Sequence, residues 1–387
     1  MAVKILRQPN KIALLGAPTS AAAMSSGHEG APAALREAGL VDRLRAVGYE
    51  VADLGDDPPQ LFKPDEESPR ARNVPRVLAA LEALKPRVEQ AVKSGALPLI
   101  VSGDCSVALA TVAGARRYFR NVSMIYMDGD ADLNTPATTP SGCVDGMVVS
   151  HLTGRGAAEL VRFWGEPPLV REPDLALFGV SRLDPPEERL LENSSLRRFL
   201  ARDVQRMGAA SAAQAAVERI HANGYEFVLH FDVDVIADFP ATNYPGSGGL
   251  RLDEVREALK IFAQQKHLAA LEVSAYNPTK DADGSGAKLL LDLLAEFFSV
   301  RLEALKTPAT AAAAAVAPAP GSDAAVPGEQ PQTPAETGPD AAVPPVASGE
   351  VWSSDLLEEQ RAETPEPEPE PESESSETPA EPDKPHS

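Results

Sequence analysis

Residues Val122–Pro136 read VSMIYMDGDADLNTP. The largely apolar run Val122–Met127 predicts a strand buried on both faces, as in a parallel sheet. Three aspartates at alternate positions, Asp128, Asp130 and Asp132, start where it stops. Asp is a poor strand residue, so carboxylates at a strand end carry a structural cost. The pattern recurs along the chain. Phe227–Phe231 runs into Asp232 and Asp234, Leu97–Ser102 runs into Gly103-Asp104-Cys105-Ser106, and Leu268–Val273 carries Glu272. In open α/β sheets, ligands bind beyond the carboxyl ends of the strands.

Working outward, short apolar runs alternate with helical patterns. Strands are predicted at Ile12–Leu15 and Leu175–Val180 besides those above, and helices at Ala33–Val47, Val74–Lys93, Val107–Tyr118, Asp253–Gln264 and Ala287–Leu305. A helix is predicted from Ala209 to Asn223, ending at Gly224, and another begins at Glu187–Asn193. Such alternation implies an α/β fold: three α/β/α layers around a mainly parallel central sheet. The globular part spans residues 1–306. Residues 307–387 hold 17 acidic against 2 basic residues and 16 of the 36 prolines, so they read as a disordered acidic Pro/Ala/Glu tail. Within it, Val351–Glu359 (VWSSDLLEE) reads as part of a solvated spacer, with a helix docking on an unknown protein as the alternative.

Composition excludes several classes. A net charge of −21 argues against nucleic acid and anionic membranes as partners. No run is long and apolar enough for a membrane span, and the N-terminus lacks a secretory pattern. Two cysteines, Cys105 and Cys143, cannot build a disulfide framework, and a cytoplasmic setting is expected.

The aspartates carry the chemistry. The i, i+2 spacing would point alternate side chains to one face of an extended strand. Two such clusters on neighbouring strands would converge on one point, where unpaired carboxylates repel and take up protons unless a cation joins them. Oxygen-rich sites suit hard divalent ions such as Mn2+ or Mg2+. Single Asp residues are often turn formers or helix caps. That reading explains five of them together poorly.

In order, the motifs resemble the arginase (ureohydrolase) family over roughly residues 10–305. The carriers are Gly30–Arg36 (GAPAALR) with Ala38-Gly39-Leu40, Ser102–Ser106 (SGDCS), Asp128–Pro136 (DGDADLNTP), Thr138–Gly142 (TTPSG), Asp232-Val233-Asp234 and Asn277-Pro278. The resemblance implies hydrolysis of a C–N bond in a linear amidine or guanidino compound, with an arginine-like substrate and a urea-type product. It implies two Mn2+ ions, which activate a water; one ion, or another divalent metal, is the alternative. Metal-ligand positions fall on Cys105, Asp128, Asp130, Asp132, Asp232 and Asp234. Asn134, Ser141 and Asp184 fall where the family holds the amino-acid end of its substrate. Asp132 and Asp145 are the candidate catalytic residues, Asp145 falling on the position of the proton-shuttling histidine. The family also permits a homotrimer or homohexamer.

The chain departs from the family pattern at several of these positions. Cys105, Asp130 and Asp145 stand where the family has histidines, Cys143 where it has a substrate-holding Asn, and Ala275 where it has the guanidinium-binding Glu. Glu272 lies three residues before Ala275 and would face the other way without a bulge. Asp145, at an ordinary carboxylate pKa of about 3.9, could not shuttle protons near neutral pH and would pair with a cationic substrate instead. His230, two residues before Asp232, is expected as a core histidine below the site, or as a partner of a ligand carboxylate or a metal. His151 is expected to be structural or on the surface. These departures raise a second reading: a catalytically impaired arginase-like protein whose acidic pocket binds a guanidinium or polyamine cation.

Overall fold

A computed structural model describes residues 5–221 and 225–306. The tail, its Val351–Glu359 island and the helix stop at Gly224 lie outside the described residues. Eight strands form one parallel sheet: β1 (Lys11–Ala17), β2 (Glu50–Asp56), β3 (Leu97–Ser102), β4 (Val122–Met127), β5 (Leu175–Phe178), β6 (Arg197–Phe199), β7 (Glu226–Asp232) and β8 (Leu268–Ser274). Their spatial order is β2-β1-β3-β8-β7-β4-β5-β6. The chain therefore builds the two outer parts of the sheet first and inserts β7 and β8 between them last.

Both faces are covered, which is why the central strands are continuously apolar. In β4, Ile125 and Met127 enter one core, while Met124 and Tyr126 enter the other. One layer holds α1 (Ala31–Glu37) and α2 (Leu40–Val47). The opposite layer holds α3 (Val74–Ser94), α4 (Ala108–Arg116), α5 (Val148–Leu152), α6 (Ala158–Val161) and α7 (Pro185–Glu192). The chain then returns to the first layer with α8 (Ala201–Met207), α9 (Ala209–His221), α10 (Leu252–Ala263) and α11 (Ser285–Lys306).

Two expectations change. The helix expected over Ala33–Val47 is two helices, because Gly39 adopts φ 96° between them, a left-handed conformation that interrupts a helix. The edge strands β2 and β6 were not expected. β2 buries only Val51 fully and β6 is three residues long, so neither shows the apolar run that marks an inner strand. No helix among the described residues is long and apolar enough to cross a membrane.

Candidate active site

The central strands β3, β8, β7 and β4 are adjacent, and the carboxyl ends of β3, β4, β5 and β7, with the segments that follow them, open on one cavity of about 890 Å³. Cys105, Asp128, Asp130, Asp132, Asp232 and Asp234 line it. Asn134, Ser141, Asp145 and Asp184 line it as well. Residues from four separate segments thus meet in one place.

The carboxylates do not converge by strand alternation. Asp232 is the last residue of β7, and the others lie past the strand ends, in turns. Asp128 Oδ1 accepts from Asp130 N at 2.7 Å, and Asp232 Oδ1 accepts from Asp234 N at 2.7 Å, so each begins an Asx-type turn. Asp132 has φ 50°, and its carboxylate accepts a hydrogen bond from the Tyr126 hydroxyl. The turn-former reading and the cluster reading are therefore both true of these residues.

Asp128, Asp132, Asp145 and Asp232 are buried. Burial first, and then the charges of neighbouring carboxylates, push all four well above the ordinary carboxylate range. The expectation that Asp145 behaves as an ordinary carboxylate fails for this reason. Its Oδ1 accepts from Cys105 N at 2.9 Å. Burial, then Asp232, push the Cys105 thiol up. Its Sγ donates to Asp232 Oδ2 at 2.8 Å.

Arg182 was not singled out from the sequence. Its Nε and Nη2 donate to Asp130 Oδ1 and Oδ2, both at 2.8 Å, and Nη2 also donates to Asp234 Oδ2 at 2.7 Å. Burial works against its charge, but the Asp130 hydrogen bonds and the charge of Asp234 raise its pKa above the ordinary value. Asp234 feels the reverse: burial lifts it and Arg182 pulls it back, to about 6. The available signal was a basic residue two positions before Asp184 in a segment already assigned to the site.

On the rim, Asn134 Nδ2 donates to Asp184 Oδ2 at 2.9 Å. Asp184 also caps α7 in a reciprocal box with Glu187, whose Oε2 accepts from Asp184 N and whose Oε1 accepts from Leu133 N, both at 2.8 Å. Burial lifts Glu187 to about 7. Glu187 lines the cavity and was also missed; Asp184-Pro185-Pro186-Glu187 is a legible capping box. Ser141 Oγ accepts from Cys143 N at 3.2 Å. Both cysteines are free and line the cavity.

Glu272 does not line the cavity. It pairs in register with His230 across β8 and β7, and His230 Nδ1 lies 2.9 Å from its Oε1, both side chains fully buried. His230 stacks on Tyr126 with ring centroids 4.2 Å apart, and its Nε2 lies 3.8 Å from Asp128 Oδ2. Ala275 follows β8 with φ 64°. His151 is buried in α5, its Nδ1 2.7 Å from Met147 O, and its role is structural.

The donors fit one cation better than two. Ligand atoms of Cys105, Asp128, His230 and Asp232 lie within 4.8 Å of one another. Asp128, Asp130 and Asp234 form a second such group, but the Arg182 guanidinium already holds two of its three carboxylates. As the side chains stand, a pair of metal ions does not fit.

The family profile described as Arginase family matches residues 10–299. The arginase of Bacillus caldovelox is 28% identical over 295 residues, covering 75% of this chain and 99% of that enzyme. The arginase of Brevibacillus brevis is 29% identical over 293 residues, covering 75% of this chain and 98% of that enzyme. The crystal structure of arginase from Bacillus cereus superposes with a TM-score of 0.69 at 28% identity, covering 74% of this chain and 98% of that one. With an eight-stranded parallel sheet, a carboxylate cavity at its carboxyl edge and a profile match spanning nearly all described residues, the chain belongs to the arginase family.

Proposed function

We propose that this arginase-family hydrolase acts, with a divalent cation, on a C–N bond of a small cationic amidino or guanidino compound. The observation that carries the reading is the shared cavity floor of Asp128, Asp132, Asp232 and Asp234, buried carboxylates with one guanidinium among them. Such a floor attracts cations. Cys105, Asp128, His230 and Asp232 would hold the divalent ion. When bound, it supplies Lewis acidity for the attack of water on the amidino carbon. The remaining work falls to this chain's own residues. Asn134, Ser141 and Asp184 line the rim and orient the amino-acid end of an arginine-like substrate. Asp145 faces the same cavity. Water adds to the carbon, the C–N bond breaks, and the amine leaves carrying the proton.

A second reading has its own observation. Glu272 is turned into the core and Ala275 offers no carboxylate, so β8 contributes no anion to a guanidinium. Under it, the pocket binds such a cation without turnover.

The test is release of urea or ammonia from a panel of guanidino and amidino compounds, with Mn2+ or Zn2+ added to the purified chain. Turnover lost in Asp128→Ala and Asp232→Ala supports hydrolysis. Calorimetric binding of a panel compound without release moves the assignment to the second reading. Neither binding nor release with any metal rejects both.

A further inference from the structure

Arg182 occupies a seat shaped for a guanidinium. The fork of Nε and Nη2 meets both oxygens of Asp130, and Nη2 reaches Asp234. This planar, bidentate geometry suits arginine and not lysine. The surrounding backbone makes room for it. A Cβ at Gly129 would lie 2.9 Å from Nη2, and one at Gly246 would lie 2.5 Å from Nη1. The main chain fixes the residue too, since Arg182 N donates to Gly129 O at 3.0 Å.

We propose that the Arg182 guanidinium is a resident cation in one half of the carboxylate cluster, so that the centre takes one divalent ion, in the half where Cys105, Asp128 and Asp232 line the cavity and His230 lies buried within reach of them. The proposal rests on the metal-dependent reading above and sharpens it. An ion between Asp130 and Asp234 would have to expel the guanidinium from oxygens it holds at 2.7 and 2.8 Å. The other half is differently built. Glu272 Oε1, 2.9 Å from His230 Nδ1, selects the tautomer with hydrogen on Nδ1 and leaves Nε2 as an acceptor, 3.3 Å from Ser274 Oγ and 3.8 Å from Asp128 Oδ2. A buried carboxylate behind an imidazole is the usual support of a metal-ligating histidine. Sulfur and imidazole beside two carboxylates favour Zn2+ over Mn2+. Asp130, expected as a metal ligand, becomes the counter-ion of Arg182, and His230 supplies an imidazole that the expected ligand set lacked.

Full-length protein is stripped with a chelator, reloaded with Zn2+ alone or Mn2+ alone, dialysed, and analysed for metal per chain. Wild type should hold one equivalent of Zn2+. Arg182→Ala should hold two, because the Asp128, Asp130 and Asp234 oxygens are released. His230→Ala should bind Zn2+ at least tenfold more weakly. The Co2+-loaded protein should show a sulfur-to-cobalt charge-transfer band that Cys105→Ser abolishes. Should Arg182→Ala not fold, Arg182→Gln, closer in volume and neutral, serves in its place. Two equivalents in wild type, none in wild type, or an unchanged count in the folded Arg182 variant would each overturn the proposal. A chain that binds one Zn2+, gains a second on loss of Arg182 and hydrolyses nothing would sink the hydrolase reading and leave this one standing.

Discussion

Replacing Glu272 separates a structural carboxylate from a substrate-binding one. Glu272 and His230 are fully buried and 2.9 Å apart, with Glu272 Oε2 lacking a hydrogen-bond partner among the described residues. Glu272→Ala removes one partner of a dry pair. It strands His230 Nδ1 and leaves a void, and breaking such a pair costs about 3–5 kcal/mol. For a domain of this size about 1 kcal/mol moves the melting temperature by roughly 2–4 °C, so a loss on the order of 10 °C is expected. Glu272→Gln keeps an acceptor for His230 and should cost about 1 kcal/mol. Calorimetric melting of metal-free protein measures both, and titration with a guanidino compound runs alongside. If Glu272 were instead the guanidinium-binding carboxylate, Glu272→Gln would weaken that ligand severely and leave melting unchanged. That outcome, or an alanine variant melting within about 2 °C of wild type, would refute the reasoning.

Three further outcomes are expected. In metal-free protein, Asp128, Asp132, Asp145 and Asp232 have folded pKa values above their unfolded ones, so their contribution to stability is full below about pH 3.9 and is lost as pH rises through the folded values. Added Zn2+ should therefore raise the melting temperature more at pH 8 than at pH 5, and equal effects at both would contradict this origin. His151 has the opposite sign: burial lowers it from 6.5 to about 4, so its contribution is full above pH 6.5 and falls away toward pH 4. The cost of His151→Asn in urea unfolding should shrink by about 3 kcal/mol between pH 7 and pH 4. Ala275 sits at φ 64°, where glycine is free of strain, so Ala275→Gly should stabilise by about 1 kcal/mol, read as a small rise in urea midpoint with unchanged slope.

The inner strands were legible because burial on both faces writes a continuous apolar run; β3 and β4 have the boundaries that their runs predicted. The edge strands were not, since β2 is mostly exposed and β6 is short. The site was legible as a set of aspartates, but the reason inferred for their convergence was wrong. Strand alternation does not aim them; Asx turns at the strand ends do, and i, i+2 spacing cannot tell the two apart. Arg182 was illegible for a different reason. Its partners Asp130 and Asp234 are each 52 residues away, and no local pattern records a pairing across a sheet. Glu272 was legible in direction only: it points away from the cavity, and its partner His230 follows from the β7–β8 register.

The two carboxylates on Arg182 should differ in worth, and that difference tests whether its seat is part of the interior. Asp130 is 38% exposed and Arg182 30%, so water screens their pair, and a double-mutant cycle of Arg182→Ala with Asp130→Ala should give a coupling of about 1 kcal/mol despite the bidentate geometry. Asp234 is 2% exposed. Taking Arg182 away leaves it a buried carboxylate beside Asp128 and Asp232, and the cycle with Asp234→Ala should give about 3 kcal/mol. Both are measured by urea unfolding of metal-free protein. The larger coupling at Asp130 would mean that the guanidinium leans on the cavity mouth, where an incoming ion could sweep it aside. The larger coupling at Asp234 means that it belongs to the floor. Asp130 brings one negative charge to the cavity, and an arginine held at the floor supplies the matching positive one within the same cavity.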